Sequence, residues 1–129
     1  MIKVLVTGAN GQLGYCIKDA ASDLLNCEFY FASRKNLDIG NRTSVEDFFK
    51  RNSFDYCINT AAYTNVEKAE SEADVAYSIN ADGVKNLAEC CKNSDTVLIH
   101  ISTDYVFDGR KNRPYKETDQ TNPINVYGA

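Results

Sequence analysis

Four short apolar runs alternate with segments of helical periodicity, and this alternation constrains the fold more than any other feature of the chain. The runs are predicted strands, at 2–6, 28–32, 56–59 and 96–101. Apolar residues at helical spacing predict helices at 12–24, 43–52 and 72–92. Strands joined through helices form right-handed crossovers. The sequence therefore predicts an α/β fold with a doubly wound, mainly parallel sheet and helices on both faces.

Each predicted helix has an apolar side that is expected to pack on the sheet. The second helix should begin at the capping-box pattern Thr43-Ser44-Val45-Glu46. After Asp108 and Gly109, polar residues through Pro123 predict a loop of about 14 residues, a length typical of functional loops. The inward residues are expected to be Leu13, Ile17, Ala20 or Ala21 and Leu24 in the first helix, Val45, Phe48 and Phe49 in the second, and Val75, Ile79, Val84, Leu87 and Cys91 in the third.

Size and charge are those of a single folded domain. The chain has 129 residues, of which 43% are hydrophobic, so one domain over 1–129 is expected. The 14 Lys and Arg residues against 18 Asp and Glu residues leave a net charge of −4, which argues against nucleic acid or an anionic membrane as a partner. No apolar run nears the roughly 18 residues of a membrane span, and no signal peptide is visible. A cytoplasmic location is therefore expected.

The cysteines and the single histidine give no sign of a metal site. The five cysteines are odd in number and form no Cys-x-x-Cys pair, which zinc and redox motifs require. His100 lies in the most apolar predicted strand and is expected to be a packed core residue. Buried free thiols in a reducing compartment are expected for Cys16, Cys27, Cys57, Cys90 and Cys91.

A glycine-rich loop joins the first strand to the first helix. Gly8 permits a tight turn, Gly11 lets the backbone approach a pyrophosphate, and Gly14 allows close packing of the helix. The start of the following helix offers unpaired N–H groups to phosphate. This context predicts dinucleotide binding rather than a plain structural turn. The candidate residues are Gly8, Asn10, Gly11, Gln12, Leu13 and Gly14.

The residues after the second strand bear on the choice of cofactor. An NAD-selective site places a carboxylate there for the ribose hydroxyls, whereas this chain has Ser33, Arg34 and Lys35. A hydroxyl and a guanidinium suit a 2′-phosphate through charge-assisted hydrogen bonds. NADP(H) is therefore favoured over NAD(H), and a solvated basic turn is the alternative.

Longer motifs resemble known families. The G-x-x-G-x-x-G spacing resembles that of the extended short-chain dehydrogenase/reductases, whose fold is Rossmann-like. Segments after the third and fourth strands are similar to the dTDP-4-dehydrorhamnose reductases, and the resemblance covers essentially all 129 residues. Those segments are Asn59-Thr60-Ala61-Ala62-Tyr63-Thr64 and its continuation to Glu72, Ser102-Thr103-Asp104-Tyr105-Val106-Phe107-Asp108-Gly109, Tyr115-Lys116-Glu117-Thr118-Asp119, and Pro123-Ile124-Asn125-Val126-Tyr127-Gly128.

The resemblance implies an oxidoreductase that uses NADPH to reduce the 4-keto group of dTDP-4-dehydro-L-rhamnose, a nucleotide sugar. By motif position, Tyr127 donates the proton, Thr103 hydrogen-bonds the same oxygen, and Asp104 neighbours the substrate. Asn80 is expected either to help organise this site or to be a plain exposed residue. A homodimer is left open. The other residues implied to lie along the cofactor are Asp38 and Ile39 beside the adenine, and Ala61, Ala62, Tyr63 and Thr64, together with Tyr127.

The same resemblance places a lysine four residues after the tyrosine, which is two residues beyond Ala129. The chain is accordingly expected to be the amino-terminal part of a longer reductase and to be inactive alone, with Tyr127 poorly held near the terminus. Two other classes stay open. One is a non-catalytic subunit resembling the regulatory protein of methionine adenosyltransferase, against which the Thr103/Tyr127 pair argues. The other is an extended short-chain epimerase or dehydratase, against which the segment 106–109 argues.

Overall fold

The computed structural model describes all 129 residues and has one four-stranded parallel sheet. The strand order is β2-β1-β3-β4, and every pairing is parallel. The strands β1 to β4 span Ile2–Thr7, Cys27–Ala32, Tyr56–Asn59 and Val97–His100. The helices α1 to α5 span Gln12–Ala21, Arg42–Arg51, Val66–Ala69, Ala73–Tyr77 and Val84–Asn93. The first connection runs from β1 to β2 on one side of it, and the second passes over β1 to reach β3 on the other side. The first two crossovers therefore lie on opposite faces of the sheet, which confirms the predicted doubly wound sheet.

The hydrophobic core lies between one face of the sheet and helices α2 and α5. From the sheet come Leu5 and Cys57, both fully buried. From the helices come Val45, Leu87 and Cys91, each within 2% of full burial. Burial of a side chain such as Leu87 stabilises the fold by roughly 1.5–3 kcal/mol. The predicted inward residues of α2 are confirmed, since Phe48 and Phe49 pack against the same cluster.

The other face of the sheet is only partly covered. Helix α1 buries Gly14 alone, while Leu13 is 42% and Leu24 51% exposed, so the predicted inward face of α1 is wrong at these two positions. The helix ends at Ala21. Leu24 lies in the turn that follows, and its carbonyl oxygen accepts a hydrogen bond from the Cys27 N–H at 3.1 Å. No helix covers the part of this face that carries Ile99, which is 43% exposed.

The N-cap of helix α2 lies two residues earlier than the capping-box pattern predicts. Its N-cap is Asn41, whose side-chain oxygen accepts from the Ser44 N–H at 3.0 Å. Thr43 therefore lies inside the first turn and is not the cap. Asn is as good an N-cap as Thr, so the pattern alone could not decide between the two positions.

The predicted helix at 72–92 is interrupted. A π-helical turn, Ser78–Gly83, separates α4 from α5. Ala76 and Gly83 are buried where Val75 and Val84 were expected, and Val75 is 44% exposed. Gly83 packs on Ile39 so closely that a Cβ would come within 2.9 Å of the Ile39 Cγ1 atom. The short helix α3 was not predicted.

Strand β4 forms an edge of the sheet. It is two residues shorter than predicted, and Val97 and Ile99 are about half exposed. Beyond a short 3₁₀ turn, Asp104–Val106, the chain has no further helix or strand, as the predicted loop required. The five cysteines are free; Cys57 and Cys91 are buried as expected, but Cys16 is exposed because it lies on the open side of α1. None of the helices combines the length and the apolar character that a membrane-spanning helix requires.

Candidate functional site

The glycine loop brings the carboxyl ends of β1 and β3 into close contact. Gly8 has a φ of +65°, and a Cβ there would lie 2.5 Å from the Ala61 nitrogen. Thr60 seals the same junction by donating its hydroxyl to the Thr7 carbonyl at 2.6 Å. Only glycine fits at residue 8, because both the positive φ and the adjacent backbone exclude a side chain.

The first turn of α1 presents free backbone donors. The N–H groups of Gln12, Leu13 and Gly14 have no acceptor in the chain, and the N-cap Gly11 has no side chain to supply one. A Cβ on Gly14 would lie 2.7 Å from the carbonyl oxygens of Gly8 and Ala9, so a glycine is required there as well. Unpaired N–H groups at the positive end of a helix dipole attract phosphate. The side chains of Gln12 and Leu13 are exposed, and both residues offer an unpaired backbone N–H at this turn.

A cleft of about 340 Å³ opens beside this turn, and we refer to it as the glycine-loop cleft. It lies at the carboxyl ends of β1, β2 and β3, the edge at which parallel α/β sheets bind ligands. The lining residues are Gly8, Asn10, Gly11, Arg34, Leu37, Asp38, Ile39, Thr60, Ala61, Ala62, Tyr63 and Ile79.

The basic residues after β2 lie at the mouth of this cleft. The Arg34 side chain is 77% exposed, and its Nε atom lies 3.9 Å from a carboxylate oxygen of Asp38. Ser33 donates its hydroxyl to the Asn36 side chain at 2.7 Å, which leaves its oxygen as an acceptor and orients the turn. Arg34 therefore has the freedom to turn toward an anionic ligand.

Asp38 and Ile39 form the wall opposite the glycine loop. Asp38 accepts the Gly40 N–H at 3.1 Å and so caps its own turn, while Ile39 is 97% buried and joins the core cluster. Asn86 holds the segment by donating to the Ile39 carbonyl at 2.9 Å. The wall is thus rigid and presents one apolar edge and one carboxylate.

Asn80 holds the segment after β3 in place. Its side-chain oxygen accepts the Tyr63 N–H at 2.8 Å, and its amide nitrogen donates to the Tyr63 carbonyl at 2.9 Å. The Tyr63 hydroxyl donates to Glu72 at 2.7 Å. Burial raises the pKa of Tyr63, and the bond from Tyr63 lowers the pKa of Glu72. The π-helical turn that carries Asn80 therefore organises the cleft, a frequent role of such turns.

A second cleft, of about 180 Å³, lies at the carboxyl end of β4; we refer to it as the tyrosine cleft. It contains Thr103 and Tyr127, which the sequence placed together, and it shares Ala61 and Ala62 with the glycine-loop cleft. The exposed residues Thr64 and Asp104 line neither cleft. The other lining residues are Ala76, Tyr77, Asn80, Ala81, His100, Ile101, Ser102, Val106, Val126, Gly128 and Ala129.

The Thr103 hydroxyl oxygen accepts a hydrogen bond, whereas the hydroxyl hydrogen donates none. As the N-cap of the 3₁₀ turn, it accepts the Tyr105 N–H at 3.2 Å. The hydroxyl hydrogen takes no part in that bond. Thr103 can therefore donate to an oxygen atom in the tyrosine cleft without losing its structural contact.

Residues 126–128, which we refer to as the Tyr127 segment, are held by several contacts, contrary to the expectation for residues near the terminus. Glu70, from the end of α3, accepts the Val126 N–H at 2.9 Å. The Tyr127 ring packs edge-on against Tyr105, with ring centroids 5.4 Å apart. Gly128 is buried so tightly against the Tyr105 carbonyl that any Cβ would overlap it. These contacts join residues far apart in sequence, and no local pattern predicts them.

His100 is exposed in the tyrosine cleft, and its predicted place in the core is wrong. It is the last residue of β4, and its Nδ1 atom lies 3.1 Å from the side-chain nitrogen of Asn59 on β3. The strand is apolar, but it lies at the sheet edge, so its last side chain reaches the ligand-binding end. The polar side chain close to the end of an otherwise apolar run was the signal in the sequence that could have indicated this.

The family comparisons agree with this geometry. The family model described as "RmlD substrate binding domain" matches residues 2–129. The dTDP-4-dehydrorhamnose reductase of Aggregatibacter actinomycetemcomitans is 44% identical over 99% of this chain and 44% of the relative. That of Sinorhizobium fredii is 42% identical over 98% of this chain and 42% of the relative. The chain thus spans less than half the length of these relatives.

Solved structures show the same fold at high similarity. A dTDP-4-dehydrorhamnose reductase from Clostridium acetobutylicum superposes with a TM-score of 0.95 at 43% identity, covering 98% of this chain and 45% of that one. One from Bacillus anthracis, in complex with NADP, has a TM-score of 0.94 at 40% identity, covering 99% of this chain and 46% of that one. The resemblance predicted from the motifs is confirmed, and the chain belongs to the RmlD substrate binding domain family, that of the dTDP-4-dehydrorhamnose reductases.

Proposed function

We propose that residues 1–129 bind NADP(H) and supply the Thr103/Tyr127 pair of an enzyme that reduces dTDP-4-dehydro-L-rhamnose to dTDP-L-rhamnose. The observation that carries the proposal is the continuity of the two clefts across Ala61 and Ala62. An elongated dinucleotide lying over these small side chains would reach from Arg34 to Tyr127. The similarity to a dTDP-4-dehydrorhamnose reductase, and to a solved one in complex with NADP, supports the same cofactor and reaction.

The glycine-loop cleft would hold the adenosine half of the cofactor. The free N–H groups at the start of α1 would bind the pyrophosphate, and the wall at Asp38 and Ile39 would face the adenine. Arg34, with 77% of its side chain exposed, would pair with the 2′-phosphate that only NADP(H) carries. On this basis we propose a preference for NADP(H) over NAD(H).

The tyrosine cleft would hold the reacting groups. The bound nicotinamide supplies the hydride. Tyr127 then gives its phenolic proton to the alkoxide oxygen that forms at the sugar C4, acting as a general acid. Thr103 donates its free hydroxyl hydrogen to the same oxygen and stabilises the developing charge, because its position is set by the 3₁₀ turn.

The experiment that tests this proposal joins residues 1–129 to the remaining residues of the Aggregatibacter actinomycetemcomitans reductase. The chimaera is expected to oxidise NADPH only when dTDP-4-dehydro-L-rhamnose is present. A folded chimaera that binds NADPH but does not oxidise it would instead support a non-catalytic dinucleotide-binding subunit. Activity on an epimerase substrate in place of the keto sugar would point to the other enzyme class.

A further inference from the structure

A row of polar side chains crosses the sheet at its ligand-binding edge. Thr7, Asn59 and His100 are in register on β1, β3 and β4, so their side chains lie on the same face. The Thr7 hydroxyl donates to the Asn59 side-chain oxygen at 2.5 Å, and the Asn59 nitrogen lies 3.1 Å from the His100 Nδ1 atom. Thr7 and Asn59 are buried, whereas His100 is exposed at the end of the row.

This row determines which nitrogen of His100 carries the proton. The Asn59 oxygen accepts from both the Thr7 hydroxyl and the Ala61 N–H, the latter at 3.2 Å. The Asn59 amide is therefore oriented with its NH₂ group toward His100. Because that group only donates, the His100 Nδ1 atom must accept, and the proton lies on Nε2.

The surroundings of His100 favour this neutral form. The tyrosine cleft contains no carboxylate side chain; besides His100, its ionisable groups are the side chains of Tyr77 and Tyr127 and, in the 129-residue chain, the terminal carboxyl group of Ala129. Partial desolvation in the cleft lowers the pKa of His100. Protonation of Nδ1 would also place the His100 Nδ1–H opposite the NH₂ group of Asn59, so that two hydrogen-bond donors would face each other. His100 is consequently a fixed donor whose only lone pair is already occupied, so it cannot serve as a general base.

We propose that His100 is a ligand-binding residue of the tyrosine cleft, whose Nε2–H donates to an uncharged oxygen of the bound reactants. This inference rests on the proposed function, since the oxygen belongs to the keto sugar or to the nicotinamide half of the cofactor. A neutral donor suits a carbonyl or hydroxyl oxygen, whereas phosphate is bound at the other cleft by Arg34 and the helix terminus. His100 thus orients the reactants beside Thr103 and Tyr127.

Two substitutions separate this role from a structural one. In His100→Asn, the side-chain oxygen can still accept from Asn59, but nothing reaches the position of Nε2. In His100→Gln, the longer amide can place its NH₂ group there. In the chimaera, we expect His100→Asn to lower kcat/KM roughly three- to tenfold, the effect of one lost hydrogen bond, and His100→Gln to recover most of it.

The Michaelis constants show which reactant accepts the hydrogen bond. A raised KM for NADPH points to the nicotinamide half, and a raised KM for the keto sugar points to the substrate. Full activity of His100→Asn with an unchanged thermal midpoint would overturn the inference while leaving the proposed function intact. An inactive but folded unsubstituted chimaera would instead count against the proposed function.

The 129-residue chain provides a test that does not depend on activity. His100 is its only histidine, so its imidazole nitrogens are assigned without ambiguity in a long-range ¹H–¹⁵N spectrum. We expect the Nε2–H tautomer at pH 7, and its replacement by an Nδ1–H signal in Asn59→Asp, where the new carboxylate accepts. An Nδ1–H tautomer or an imidazolium in the unsubstituted chain would overturn the inference.

Discussion

Arg34 is the residue on which the proposed preference for NADPH depends. We expect Arg34→Ala to weaken NADPH binding about ten- to hundredfold more than NADH binding, because only NADPH carries the 2′-phosphate. Isothermal titration of both cofactors measures this difference. Arg51→Ala, which removes an exposed arginine from the end of α2, is the matched control. Equal losses for the two cofactors would remove Arg34 from the phosphate site.

Tyr127 is the residue expected to donate the proton. In the chimaera, Tyr127→Phe should lower kcat at least about a hundredfold, the usual scale for a positioned acid, with little change in NADPH affinity. The same change at Tyr56, on the far end of β3, should leave kcat unaltered. Near-normal turnover of Tyr127→Phe would mean that the proton comes from another group or from water.

At the scale of elements, helix α3 holds the Tyr127 segment through Glu70, its C-cap residue. Glu70 accepts the Val126 N–H across 56 residues of sequence. We expect Glu70→Ala to increase the amide exchange rate of Val126 in the 129-residue chain and to lower kcat of the chimaera roughly three- to tenfold, as for one lost hydrogen bond. Glu70→Gln keeps an acceptor oxygen and should behave like the unsubstituted protein.

A control variant distinguishes a positioning role of Glu70 from a general effect on the stability of the fold. Glu67→Ala removes a neighbouring carboxylate of the same helix that accepts no hydrogen bond from the Tyr127 segment, and should change neither quantity. If Glu70→Ala lowered the thermal midpoint without altering kcat or the Val126 exchange rate, the link from α3 to Tyr127 would have no role in the reaction.

At the scale of the whole molecule, the 129-residue chain is expected to be inactive by itself and to bind NADPH weakly. The resemblance implies a lysine beside the tyrosine, and the tyrosine cleft of this chain contains no lysine or arginine that would stabilise a Tyr127 phenolate. The edge strand β4 is also open, with Val97, Ile99 and Ile101 about half exposed, which favours self-association.

Three measurements check this expectation: NADPH oxidation, NADPH calorimetry, and sedimentation over a range of concentrations. We expect no turnover, a measurable but weak affinity from the complete glycine loop, and a mass that rises with concentration. Turnover by the 129-residue chain comparable to that of the chimaera would contradict the role assigned to the lysine.

The sequence by itself determined the elements whose signals are local. Strand β1, the glycine loop and the start of α1 follow from a β-branched run, three glycines and a helical period that all lie within the first 24 residues. Thr103 and Tyr127 could be named as candidates from the family resemblance, because the motifs that carry the resemblance are contiguous. Each of these features depends on backbone preferences or residue types that act over a few neighbouring positions.

Only the tertiary structure decided which of these residues meet and which side chains face the ligand. His100 lies in an apolar strand, yet its partner Asn59 is 41 residues away and the strand is at the sheet edge. In the interrupted third helix, Ala76 is buried instead of Val75, and Asn80 in the π-helical turn bonds Tyr63, 17 residues away. Such choices depend on strand order and on packing between distant segments, and local periodicity contains no information about either.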